Sequence, residues 1–248
     1  MTVEVLDLDR LDCRFVDHRW RFAEERSVEI GRHWEERRRR NPTLYDGRVL
    51  LACQVECAID DDRARVLRMS LFETRFSHFL AWREFGWPDE TVYNCFSMPA
   101  ARSRDGAYLL GEMGPSHSYA GRLYFPCGTP DPSDIVAGGR VDLFGSLVRE
   151  LAEETGLDAA QARPAPGWTA VFDRQFVACV KWLDFDASAQ ALLTGVRAFL
   201  ARESAPELAD AHMFAGPETL ADPRLPGFMV AYLSRTLGGA DEIPLSAG

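Results

Sequence analysis

The sequence predicts a mixed α/β fold, with an α/β domain over residues 93–248 preceded by an amino-terminal α+β extension over residues 1–92. Three observations lead there. From Tyr93 onward, VYNCFSMPAA, DGAYLLGEM and GRLYFP are short apolar segments separated by Gly, Pro and Asp, as consecutive strands are. Leu143, Leu147 and Leu151, with Phe144 and Val148 beside them, make one apolar helix stripe. Before residue 92 the order is instead a charged helix, a β-hairpin and an aromatic helix.

Taken in order, charged residues dominate from Trp20 to Arg40, and Asn41-Pro42 ends that helix because the residue before a proline is pushed out of the α region. The arginines of EERRRRNP follow Glu35 and Glu36 directly and read as a solvated helix face rather than a phosphate site. GRVLLACQVECAID and RVLRMSLFE, joined by DDRA, make the hairpin. Cys53 and Cys57, an even number of positions apart, are expected on one strand face as packing residues. TRFSHFLAWREFGWP spaces Phe76, Phe79, Leu80 and Trp82 as a core helix closed by Gly86 and Pro88, with His78 structural. Beyond residue 188, ASAQALLTGVRAFLARE and LPGFMVAYLSRTL read as helices, and AHMFAGPETLADPR between them as a connecting loop.

A net charge of −10 excludes bulk electrostatic capture of a nucleic acid polymer. Six scattered cysteines without a CxxC pair predict free thiols in a reducing compartment. The acidic, charge-interrupted start MTVEVLDLDRLDCRF is no signal peptide, and no apolar run reaches the ~20 residues of a membrane span, so a cytoplasmic chain with no membrane partner is expected.

Asp142 is placed to cap the helix that carries the leucine stripe, and Gly156 to supply the left-handed residue that ends it. The opposite face then carries Ser146, Glu150, Glu153 and Glu154. Residues three and four apart on a helix have Cβ atoms about 5–6 Å apart, so these glutamates can converge. Clustered carboxylate oxygens suit Mg²⁺ or Mn²⁺, which keep waters and take up phosphate oxygens. Their repulsion costs only a few tenths of a kcal/mol per pair in water, so a merely solvated acidic face also satisfies the pattern.

Arg149 to Leu157, RELAEETGL, resembles the second half of the Nudix box, G-x5-E-x7-R-E-U-x-E-E-x-G-U with U aliphatic. Seven specified positions would coincide by chance in such a chain on the order of once in 10⁵. The resemblance spans about 93–237 and implies an α/β/α sandwich with a mixed sheet and a loop–helix–loop catalytic segment. It also implies metal ligands at Glu150, Glu153 and Glu154, with Arg149 orienting them. NPTLYDGRVLLA carries a weaker likeness to the amino-terminal region of UDP-sugar-cleaving members.

Two departures stand out. Counted without gaps from Arg149, the first box glutamate falls on Val141 and the first glycine on Ile135. Gly128, in YFPCGTPDPSD, stands in for the glycine, with Cys127 where a second glycine is usual. Twelve residues then separate Gly128 from Val141, so the loop is enlarged by PDPSDIVAGGR, and Asp142 is a candidate to replace the missing glutamate.

The resemblance implies metal-dependent hydrolysis of a nucleoside diphosphate linked to another moiety, such as a nucleotide sugar, ADP-ribose or coenzyme A. The alternative is a non-catalytic Nudix-like module that binds a nucleotide or metabolite. Arg122 and Gly128 are candidates to contact a phosphate, and Trp168 to stack on a base. His117 lies on an expected loop. Many members of the family are dimers, so a homodimer is among the arrangements implied, although no sequence feature marks an interface.

Overall fold

The computed structural model describes residues 3–115 and 119–237, which leaves His117 outside the described residues. Two strands open the chain, β1 (Glu4–Leu8) and β2 (Arg10–Phe15), followed by α1 (Arg21–Glu25) and α2 (Ser27–Arg40). The expected hairpin is β3 (Arg48–Ile59) with β4 (Arg65–Arg75), and α3 (Phe76–Glu84) is the aromatic helix. Next come β5 (Asn94–Arg102), β6 (Tyr108–Met113), β7 (Leu123–Tyr124), β8 (Ile135–Val136), β9 (Arg140–Val141) and α4 (Leu143–Thr155). The chain continues through β10 (Ala162–Pro164), β11 (Trp168–Asp173), β12 (Phe176–Phe185), α5 (Ala189–Leu200), β13 (Leu208–Phe214) and α6 (Gly227–Leu237).

The larger sheet runs β1-β11-β12-β5-β6-β13, with β10 beside β12 and β7 beside β6. It is mixed, because β12 lies parallel to β5 and antiparallel to β11. Alternation of side chains across it separates two layers. Phe96 meets Phe228 of α6 at 6.3 Å between ring centroids, and Tyr108 meets Tyr232 of α6 at 6.5 Å. On the other face Cys95, Val177 and Cys179 pack with Leu143 of α4 and with the second sheet. Helices thus cover both faces, the α/β/α layering that was expected.

The second sheet, β3-β4-β2-β9-β8, draws its strands from both ends of the first 141 residues. Charged residues obscure β1 and β2 in the sequence, yet β1 pairs with β11 and β2 runs parallel to β4. The enlarged loop is itself ordered: a 3₁₀ turn, Pro132–Asp134, leads into the β8–β9 hairpin, whose strands are joined by a second, Ala137–Gly139, and which pairs with β2 through Arg14 and Arg140.

Two local expectations are corrected. The register shift between Ala52 and Gln54 inserts an extra residue at Cys53, which reverses the alternation beyond it. Cys53 therefore packs with Val49 and Leu51, whereas Cys57 is exposed in phase with Val55. The segment AHMF is not loop but the end of β13, paired with β6 from Leu109 to Tyr108 at its last two positions. Pairing with a strand about a hundred residues earlier overrides its weak local pattern.

Candidate active site

Burial of Leu143, Leu147 and Leu151, at 3%, 0% and 0% exposure, sets the rotation of α4 about its axis. Each such leucine contributes about 2 kcal/mol relative to an exposed one. The helix starts where Asp142 accepts a hydrogen bond from the Gly145 N–H at 3.1 Å and stops at Gly156, whose φ is 70°. Rotation fixed in this way sends the three glutamates to different environments. Glu154 is 5% exposed, Glu150 is half-buried and Glu153 is exposed.

The Tyr124 to Gly128 segment lies directly over Glu150 and Glu154. Cys127 N–H donates to Glu154 Oε1 at 2.9 Å, while Glu154 Oε2 is enclosed and has no hydrogen-bond partner. Gly128 approaches so closely that a Cβ there would stand 2.4 Å from Glu150 Oε1. A side chain there would force the Glu150 carboxylate to move aside.

Arg149 grips Asp134, with Nη1 and Nη2 donating to its two oxygens at 2.8 and 3.3 Å. The Asp134 side chain is 2% exposed and also accepts from the Asp131 N–H at 2.9 Å. Arg149 reaches back to Glu150 at 3.7 Å. Asp134, which sequence reasoning missed, thus supplies the carboxylate contact to the arginine. Val141 is 3% exposed and part of the core, and Asp142 is engaged as the helix cap.

A second residue missed in the sequence is Glu207, just before β13. It lines the same cavity of about 880 Å³ as Glu150, Cys127 and Gly128. Burial, followed by repulsion from its neighbours, pushes these carboxyls up. Glu150 rises to about 7, where Arg149 opposes the shift and Glu153 and Glu207 add to it. Glu154 rises to about 9, with burial first and Glu207 and Glu150 next. Glu207 is raised by burial and by Glu153.

Among the described residues no three His, Cys, Asp or Glu side chains stand as a closed ion site. Glu154 is drawn to the Cys127 N–H, and Glu153 faces outward. The donor chemistry nevertheless fits a hard divalent cation: the groups are all carboxylates, and one buried oxygen lacks a partner.

The remaining candidates lie elsewhere. Arg122 is exposed, donates to the Pro223 carbonyl at 3.0 Å and is not among the residues lining this cavity. Trp168 meets Phe144 edge-on at 6.4 Å and sits 5.1 Å from Lys181 Nζ, again outside the cavity. His78 Nδ1 is 3.0 Å from Thr74 Oγ1, and burial lowers its basicity, which fits a structural role.

No protein-family model matches the chain, and no curated protein matches it. Among solved structures, a MutT protein from Methanosarcina mazei Go1 is 18% identical, with a TM-score of 0.41 over 58% of this chain and 92% of that one. A Nudix hydrolase from M. smegmatis is also 18% identical, with a TM-score of 0.37 over 62% of this chain and 88% of that one. A pyrophosphohydrolase of Bacillus subtilis is 14% identical, with a TM-score of 0.37 over 74% and 87%. Likenesses at these scores carry no argument about activity. The chain is similar to these Nudix hydrolases in fold, and its Arg149 to Leu157 segment, which resembles the second half of the Nudix box, runs along the end of α4 and past its Gly156 cap.

Proposed function

We propose that the chain is a metal-dependent Nudix hydrolase that cleaves the diphosphate of a nucleoside diphosphate joined to another moiety. Residues 1–92 act in this reading as an extension of the catalytic domain 93–248. The observation that carries the proposal is the stacking of Gly128 on Glu150, with Glu154 held by the Cys127 N–H behind it. Gly128 and Glu150, separated by more than twenty residues, thus line one cavity, with Glu154 behind them.

Glu150, Glu153 and Glu154 would hold Mg²⁺ or Mn²⁺, with Glu207 within the same electrostatic neighbourhood. A bound cation of this kind supplies charge neutralisation for the diphosphate and a more acidic water. Arg149, clamped by Asp134, fixes the helix turn that carries Glu150. Gly128, which has no side chain, lets the backbone of the entry segment lie directly against the Glu150 carboxylate. Nucleotide sugars, ADP-ribose and coenzyme A are the substrate classes to compare.

A second reading, a nucleotide-binding module without turnover, is favoured by one observation: the carboxylates as placed do not form a closed ion site among the described residues. Phosphate release from a panel of nucleoside diphosphate derivatives with Mg²⁺ or Mn²⁺ separates the two. Turnover that collapses in Glu154→Gln supports the hydrolase. No turnover of any compound, with nucleotide binding that survives the substitution, leaves the binding module.

A further inference from the structure

The cavity that Glu150 and Gly128 line has an opposite chemistry on the wall built by the amino-terminal helices. Arg37 and Arg40, in the last turn of α2, and Arg83, in the last turn of α3, all line it. Among the described residues the Glu84 carboxylate is shared by several cations. Glu84 is 2.7 Å from His33 Nε2, 3.5 Å from Arg37 Nη2 and 3.7 Å from Arg83 Nη2. Arg83 is also held between two rings, 5.1 Å from the centroid of Tyr119 and 5.6 Å from that of Phe79. Arg40 pairs with Glu36 along its own helix.

Two features of this wall exceed what is needed to tie α2 to α3. The Nε of Arg37 is enclosed without a hydrogen-bond partner, an unmet donor beside the cavity. Positive charge is also concentrated at one cavity wall in a chain whose net charge is −10. Arg38, Arg39 and Arg40 are exposed, as a solvated helix face requires, while Arg37 is half-buried, and Arg37 and Arg40 also border the cavity. A planar guanidinium presents donors matched to two oxygens of a phosphoryl group. The volume of about 880 Å³ is that of a site for a nucleotide-sized molecule.

We propose that Arg37, Arg40 and Arg83 form an anion subsite that binds a phosphoryl group of the nucleotide, opposite the box carboxylates. The amino-terminal helices thereby set substrate affinity. The proposal rests on the hydrolase reading only for the direction in which substrate lies; binding of the phosphoryl group stands without turnover.

The test is calorimetric titration of the full chain with a nucleoside diphosphate in EDTA, so that cation-held contacts are absent. Native protein is compared with Arg37→Ala, Arg40→Ala, Arg37→Lys and Arg19→Ala. The Arg40 side chain is 66% exposed, so its removal leaves the fold intact even if that of Arg37 does not. The expected result is a Kd at least tenfold higher in Arg37→Ala and several-fold higher in Arg40→Ala, with partial recovery in Arg37→Lys. Arg19→Ala, whose partner is Glu24, leaves the Kd unchanged. Unchanged affinity in the Arg37 and Arg40 variants overturns the subsite, as does the absence of nucleotide binding by the native chain. Hydrolysis with Mg²⁺ whose KM ignores these arginines would sink the subsite and leave the hydrolase reading standing. Arginine-dependent binding without hydrolysis would do the reverse.

Discussion

Asp134 and Arg149 form a two-pronged ion pair, at 2.8 and 3.3 Å, between the enlarged loop and the box helix. The pair joins a carboxylate that is 2% exposed to a guanidinium that is 34% exposed. Loss of Asp134 leaves a guanidinium that water can reach but also orphans the Asp131 N–H, at a cost of about 1–3 kcal/mol. Asp134→Ala is expected to lose that much stability in urea denaturation, and Asp134→Asn less, because the amide oxygen can still accept from the Asp131 N–H. In an assay of diphosphate hydrolysis Asp134→Asn should lower kcat more than it raises KM. A kcat equal to that of the native chain would detach this pair from the site.

Gly128 predicts a different kind of loss. Its backbone adopts no left-handed angle, so alanine there meets no conformational strain, but the new Cβ would stand 2.4 Å from Glu150 Oε1. The carboxylate must move aside. Gly128→Ala should remain folded, at a cost of ~1–3 kcal/mol, and lose hydrolysis by tenfold or more. Wild-type activity in this variant would show that the position of Glu150 does not govern turnover.

Glu154 carries an enclosed oxygen without a partner, which is costly unless a cation relieves it. In EDTA, Glu154→Gln is therefore expected to melt at a higher temperature than the native chain. Millimolar Mg²⁺ should raise the melting temperature of the native chain and leave that of Glu154→Gln nearly unchanged. Equal Mg²⁺ responses in both would place the cation elsewhere.

The thiols should separate by burial. Cys57 is exposed, whereas burial pushes the Cys13 thiol up to about 12 and raises Cys95 and Cys179 well above the usual range. Thiolate, not thiol, reacts with alkylating agents. Mass spectrometry after brief iodoacetamide treatment at pH 8 should find Cys57 modified first, and Cys13, Cys95 and Cys179 only after denaturation. Rapid labelling of Cys95 would contradict the packing between the two sheets.

How much was legible follows the range of the interactions involved. The box helix was readable because its apolar stripe, the Asp142 cap and the left-handed Gly156 all lie within fifteen consecutive residues. The β3–β4 hairpin was readable for the same reason, but the extra residue at Cys53, which reverses the faces, shows only in the cross-strand register. Strands β1 and β13 were not readable. Their partners β11 and β6 lie far along the chain, and pairing outweighs their mixed local composition.

The same division runs through the site. By itself the sequence determined the acidic helix, its start and end, the glycine entry and the departure at Val141, since these depend on residue type and short spacing. Tertiary structure decided that Asp134, not Asp142, meets Arg149, that Glu207 joins Glu150 in one cavity, and that arginines of α2 and α3 line the same cavity. Those contacts join segments separated by between 15 and about a hundred residues. No local period encodes such distances; the packing of two sheets and their helices against one another sets them.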